Sequence, residues 1–386
     1  VGRSSFKQKA LVLVMITVII YGSGALYVWG FTDTSNQYFD VTIFQSRTQT
    51  ILDGGLLYKD VHTETPPLIN YLMVPAQVFG GADNPWVYAI YASFFAFLLS
   101  MLMYAAFRRY DEKKAFLVGL LVLLCPFMID KTMVGDDDSI VAFVFMIGAV
   151  SLLFDRPRTS AAAIALGIWT KMWAVLLIPV QFLQLRTWKE RIDTIVIVLL
   201  ITIAVAVPYL VLCYDDFLDF LSYYFLMKAN RTTEGFSMTH YLAQGGYGIP
   251  KTLILGIVLI SLLAAVLYSH HKGWSAWKSA TFVMVVFIIV YPKMHMGYYI
   301  MPMALLMVWA VDDWRIMARL FASFIPLHYA ASCEPGMPGF LNDWLGNAWL
   351  AGFILAMIGT LLFVDAMRLA FKRETFFDRQ VTAALK

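Results

Sequence analysis

A chain of 386 residues that is 60% hydrophobic and 14% charged, with mean hydropathy +0.70, lies outside the range of soluble globular proteins. Its net charge of +3 is small and gathered in short loops, which argues against nucleic-acid binding and for a role in membrane orientation. Cys125, Cys213 and Cys333 have no metal-ligand spacing; a Cys213–Cys333 disulfide is conceivable, since both are placed toward the outer side, but is not expected.

In chain order, Ala10–Phe31 follows the basic flank Arg3, Lys7 and Lys9 and lacks a small-residue cleavage site, so it reads as a retained first helix. Basic clusters recur at Arg108–Lys114, Asp155–Arg158, Arg186–Arg191, His270–Lys278, Asp312–Arg319 and from Arg368 onward. Placing them all in the cytoplasm satisfies the positive-inside rule and puts both termini there. The segments Thr32–Pro66, Asp130–Asp138, Tyr214–Gly248, Pro292–Gly297 and Ser332–Trp344 then face outward.

Pro67–Gly80 is apolar but short, and a crossing there would invert every later basic loop. It is expected to lie along the outer interface as an amphipathic helix. Asp83-Asn84-Pro85 reads as an N-cap with proline in the first turn of the next span. Thr159–Leu185 carries Lys171 at its centre and is expected to be two short helices with Lys171 at the outer turn. The result is an all-α polytopic membrane protein of about twelve spans, several of them short. It has one domain over residues 1–386, with outer loops at 32–83 and 214–248 and no obvious internal repeat.

Ionisable groups near a membrane are expensive and tend to be functional. Here they collect on one face: Asp40, Asp60, His62 and Glu64, then Asp136, Asp137 and Asp138, then Lys171, then Lys293 and His295. The long polar stretch from Tyr38 to Leu68 is the most distinctive. From Asp40, apolar residues at Val41, Phe44, Thr48, Ile51 and Leu52 keep helical spacing until Gly54-Gly55 stops the helix. Asp40 at that N-terminus is either a plain cap or a carboxylate kept ionised by the helix dipole. Gly135–Ser139 (GDDDS) opens a later span with more acids than capping requires. Lys171 is either a snorkelling side chain or a phosphate ligand. Lys293 and His295, leading into Tyr298-Tyr299, read as an anion site. No HExxH, P-loop or Gly-rich nucleotide motif is present.

These residues resemble the GT-C polytopic glycosyltransferases, which use polyprenyl-phosphate sugars outside the cytoplasm. Relatives include protein O-mannosyltransferases, aminoarabinose transferases and glycolipid mannosyltransferases. Four blocks carry the likeness: the loop acid with its helix, Gly-Gly, Tyr58, Asp60 and Pro66-Pro67; GDDDS; Leu166–Lys171 followed by Pro179; and Pro292–Pro302. The resemblance implies that Asp40 is the catalytic base for an inverting transfer to an acceptor hydroxyl, with Asp137 and Asp138 in reserve. It assigns the donor phosphate to Lys171, Lys293, His295 and Tyr299, and weaker acceptor or sugar contacts to Tyr58, Asp60, His62, Glu64 and Asp136. Family members often have a second acid after the first, whereas here Val41 follows Asp40. No cofactor is expected; a divalent metal, if used, would fall to Asp136, Asp137 and Asp138. The implied partners are the lipid-linked sugar donor, the bilayer, and a glycolipid, polysaccharide or protein acceptor, in cell-envelope or glycoprotein biosynthesis. The 214–248 loop, with Asp215, Asp216, Tyr223, Tyr224, Arg231, Glu234 and His240, is either an acceptor-binding lid or an interfacial belt. The rival reading is a lipid or lipid-linked sugar flippase, which would place charges along a path to the midplane.

Overall fold

The computed structural model describes residues 3–32, 40–225, 234–331 and 348–384. Arg231, Cys333 and the 332–344 loop lie outside the described residues, as do the side chains of Tyr223, Tyr224 and Glu234. The fold is all-α. Among the described residues, extended pairing is confined to a two-residue parallel pair, Glu234–Gly235 with Lys293–Met294, and a bridge between Leu57 and Val61.

Among the described residues, five helices are long and apolar enough to span a bilayer: Phe6–Phe31, Trp86–Phe107, Trp188–Leu212, Lys251–His271 and Trp349–Lys372. Glu112–Leu123 and Pro126–Met133 form a sixth if their 45° bend is counted within one span. Four shorter apolar helices accompany them, Asp138–Leu153, Met172–Gln184, Ala276–Val290 and Met296–Ala310. The protein is a multi-pass membrane protein in which several helices fall short of a full bilayer.

The chain divides into two compact units, Val1–Leu226 and Met227–Lys386. In the first, a buried polar knot joins four helices. The Ser160 hydroxyl lies 3.0 Å from the Gly148 carbonyl and 2.8 Å from Gln181 Oε1, while Gln181 Nε2 donates to the Pro157 carbonyl and Thr194 Oγ1. The expected break at Lys171 is present. Pro157–Thr170 ends there, Lys171 is extended (φ −157°, ψ 129°), and a 3₁₀ turn leads into Leu177–Gln184. The bend before Pro126 is likewise local, since proline has no N–H to continue the ladder. There the Tyr21 hydroxyl donates to the Leu123 carbonyl at 2.7 Å.

The first loop is folded. Asp40–Leu52 is a helix whose Val41, Phe44 and Thr48 are buried, as the spacing predicts. Arg47, also buried, donates to the His62 carbonyl and to Thr65 Oγ1, tying the helix to the returning chain. Asp60 Oδ2 accepts the Leu56 N–H at 2.7 Å and closes the turn after Gly54-Gly55. Pro67–Ala76 has 10 residues, about 15 Å of helix, too short to cross a membrane. Tyr71, Val78 and Phe79 around its exposed side suit an interfacial position.

One expectation is corrected. Pro85, not Asp83 or Asn84, occupies the N-cap position of Trp86–Phe107, and no side chain caps it. Asn84 Nδ2 instead donates back to the Gly80 carbonyl, because the chain arrives through a tight turn rather than an extended one. The 214–248 segment opens with an amphipathic helix, Tyr214–Phe225, whose Phe217 and Phe220 join a core with Tyr58, Trp169 and Tyr209.

The second unit pairs Trp314–Ala331 with Ala348–Lys372 and closes on its C-terminal tail. There Asp378 Oδ2 accepts from Trp309 Nε1, the Thr375 N–H and the Thr375 hydroxyl.

Tyr58 is 7% exposed, with its ring 5.2 Å from those of Tyr209 and Phe217 and its hydroxyl donating to the Thr65 carbonyl. Tyr58→Ala should therefore destabilise the first unit by about 3–5 kcal/mol. Tyr58→Phe should lose only about 1 kcal/mol. Thermal unfolding of the two variants in nanodiscs checks this, and equal losses would contradict it.

Candidate active site

The site is built where a helix, a turn and a helix break converge. After Pro126–Met133 the chain turns through Gly135, whose φ of +83° favours glycine, into the Asp138–Leu153 helix. A Cβ on Gly135 would lie 2.7 Å from Val41 Cγ2, 3.1 Å from Tyr88 Cβ and 3.2 Å from the Ala89 nitrogen. The turn is thus pressed against the first turn of the Asp40 helix. That close approach brings the acid triplet beside Asp40.

Asp136, Asp137 and Asp138 are 6%, 4% and 6% exposed. Asp137 holds the N-cap position of the Asp138–Leu153 helix without a side-chain cap bond. Each acid has a lysine instead. Lys171 Nζ donates to Asp137 Oδ1 at 3.0 Å and Asp138 Oδ1 at 2.7 Å, and Lys131 Nζ lies 2.8 Å from Asp136 Oδ2. Lys171, expected at a phosphate, is committed to carboxylates. Lys131 went unrecognised in the sequence. Its signal is faint, a lysine five residues before an aspartate, which meet only because the chain reverses at Gly135.

Four carboxylates, those of Asp40 and the triplet, therefore sit against two ammonium groups. Burial, reinforced by repulsion from Asp136 and Asp137, pushes the Asp40 carboxyl from 3.8 up to about 7, with Lys171 and Lys131 pulling the other way. Asp40 is nonetheless exposed at the start of its helix, beside the buried triplet. The helix dipole is worth only about 0.3–1 kcal/mol at an exposed terminus and does not hold Asp40 at an ordinary carboxylate value. Asp137 is also raised, by burial first and by Asp138 against the pull of Lys171. An acid that titrates near neutrality suits proton transfer at physiological pH. Among the described residues, no three His, Cys, Asp or Glu side chains are grouped as a metal ion would need.

The remaining expected residues are placed as follows. His62 Nε2 lies 3.4 Å from Glu64 Oε1 on the exposed rim of the first loop. Tyr58 and Asp60 hold the fold of that loop, as described above. In the second unit, Lys293 and His295 are half-buried on either side of Met294. Their turn is fixed by main-chain pairing to Glu234–Gly235 and by Ser237 Oγ, which donates to the Pro292 carbonyl at 2.6 Å. Gly235 has φ +67°, and a Cβ there would meet the Met294 carbonyl oxygen at 1.9 Å. Tyr299, expected at the phosphate, is 1% exposed and packs between Phe236 and Phe363, so it is a packing residue of this turn.

The fold and site define a multi-pass membrane protein with a buried acid cluster beside Asp40. Residues 65–292, more than half of the chain, match the model of Glycosyltransferase family 87, and the chain belongs to that family. The protein is a membrane glycosyltransferase with a GT-C fold. It is similar to the crystal structure of ArnT from Cupriavidus metallidurans bound to undecaprenyl phosphate. That match has a TM-score of 0.54 and 14% identity, covering 92% of this chain and 76% of that one. The apo form of the same protein gives a TM-score of 0.55 at 13% identity with the same coverage. At such identities the likeness is one of fold. No curated protein matches the chain.

The raised Asp40 carboxyl has a consequence for stability. Its folded value of about 7 exceeds the ordinary 3.8, so the folded state binds more protons between those limits. Its contribution is fully present below about pH 4 and is lost as pH rises through about 7. Asp40→Asn should flatten the fall in melting temperature between pH 5 and pH 8. An unchanged slope in that variant would contradict the assignment.

Proposed function

We propose that this glycosyltransferase moves a sugar from a polyprenyl-phosphate-linked donor to an acceptor hydroxyl on the extracytoplasmic side of the membrane, with inversion at the anomeric carbon. The observation that carries this reading is the exposed Asp40, its carboxyl raised to about 7 beside the buried triplet, in a chain of this family. Asp40 takes the acceptor proton as that oxygen attacks, and the lipid phosphate leaves from the opposite face of the sugar. The ArnT likeness supports the donor class, since that protein's structure is bound to undecaprenyl phosphate.

Lys293 and His295 are the proposed donor-phosphate ligands. Charge-assisted bonds to a leaving phosphate strengthen as negative charge develops on it. Lys171 serves through Asp137 and Asp138, which it holds in place. Asp137 and Asp138 are reserve bases. Asp60, His62 and Glu64 flank the acceptor, with Asp60 and His62 exposed and Glu64 half-buried.

Purified protein in nanodiscs, given polyprenyl-phosphate sugars and a membrane lipid extract, should form a glycosylated product. Asp40→Asn should lower turnover by at least about 10²-fold, the lower range for loss of a general base, with donor affinity retained. Lys293→Ala and His295→Ala should each raise the donor KM as well as lowering turnover. Near-normal transfer by Asp40→Asn would remove Asp40 as the base, and lipid movement without product would favour a flippase.

A further inference from the structure

The Lys131–Asp136 pair is absorbed neither by the proposed base nor by the phosphate ligands. Lys131 holds Asp136 twice: its carbonyl accepts the Asp136 N–H at 3.1 Å and its ammonium meets the carboxylate at 2.8 Å. The Asp136 side chain is buried and that of Lys131 a quarter exposed, so the pair is only partly screened by water. Between them lies Gly135, packed on Val41, the residue directly after Asp40. This clamp gives Asp136 little freedom to turn toward a sugar.

We propose that Lys131 and Asp136 are positioning residues that set the proton occupancy of Asp40 through a fixed pair of opposite charges, rather than contacts of the transferred sugar. Among the neighbouring charges, the Asp136 carboxylate acts most strongly on Asp40 and disfavours its ionised form. Lys131, paired to that carboxylate at 2.8 Å, opposes the effect on Asp40. The other charged groups acting on Asp40 are Asp137, which repels, and Lys171, which attracts. Titratable groups on the helices packed against the Asp40 helix are engaged elsewhere. Tyr88 bonds Thr48 and Gln77, and Tyr71 accepts from Tyr209. On the Asp40 helix itself, Arg47 is bonded to His62 and Thr65, and Asp53 accepts from Gln49 Nε2.

The functional meaning rests on Asp40 as the base, but the test does not. Infrared pH-difference spectra of the full chain in nanodiscs follow the protonated-carboxyl stretch without donor or acceptor, and the band absent in Asp40→Asn reports Asp40. Asp136→Asn, nearly isosteric, should lower the midpoint of that band by roughly one pH unit. It removes a repelling charge and leaves Lys131 to face Asp40. The charge-balanced pair Lys131→Met with Asp136→Asn should fall between that variant and the wild type. Lys131→Arg, which keeps the charge, should leave the midpoint in place. An Asp40 midpoint unmoved by Asp136→Asn overturns the proposal, as does an equal shift in Lys131→Arg, which would trace the effect to packing. Loss of transfer in Asp40→Asn is read separately, so failure of the base assignment and failure of this inference are distinguishable.

Discussion

A buried carboxylate costs several kcal/mol unless a counter-charge is buried with it. In the first 226 residues that constraint is met by two lysines delivered from different elements. Lys131 comes from the short helix after the bend and Lys171 from the break between two half-helices. If either helix ran on unbroken, its lysine would be carried along the helix into apolar surroundings and the triplet would lose a partner. The short and bent helices are therefore linked to the acid cluster: interrupted segments are what bring the lysines to it. The same interruptions create exposed backbone, which is satisfied by side chains and turns rather than left in lipid.

Features encoded by local pattern were legible in the sequence. The Asp40 helix follows from the spacing of Val41, Phe44 and Thr48, and the Lys171 break from a charge that could not be left mid-span. Features that depend on tertiary approach were not. The Lys131–Asp136 pair needs a chain reversal at positive φ, which Gly135 permits but does not announce. Tyr58 and Tyr299 look like site residues because they lie beside charged ones, yet aromatic rings near a site serve packing as readily as recognition. Only their neighbours, Phe217 and Tyr209 for one and Phe236 and Phe363 for the other, decide which. Asn84 shows the same limit at smaller scale, since a capping residue type next to proline caps nothing when the chain enters from a preceding turn.

The second unit positions its basic pair differently. The turn that carries Lys293 and His295 is held by backbone hydrogen bonds, with Gly235 allowing two main chains to approach more closely than any side chain would permit. Fixing a turn through its backbone leaves the side chains available to vary without moving it. The acid cluster lacks that tolerance, because each of its charges depends on another.

The bend at Cys125-Pro126 bears on how the protein enters the membrane. Proline withdraws one donor from the helix ladder, and nearby the Tyr21 hydroxyl of the first helix reaches the Leu123 carbonyl, more than a hundred residues away in sequence. A helix inserted early thus carries a polar group within the apolar layer whose partner is synthesised only later. Until the bent segment arrives, that hydroxyl must be satisfied by lipid headgroup, water or its own backbone. Its transfer to Leu123 then makes the seating of the bent segment a step that follows, and depends on, the seating of the first helix.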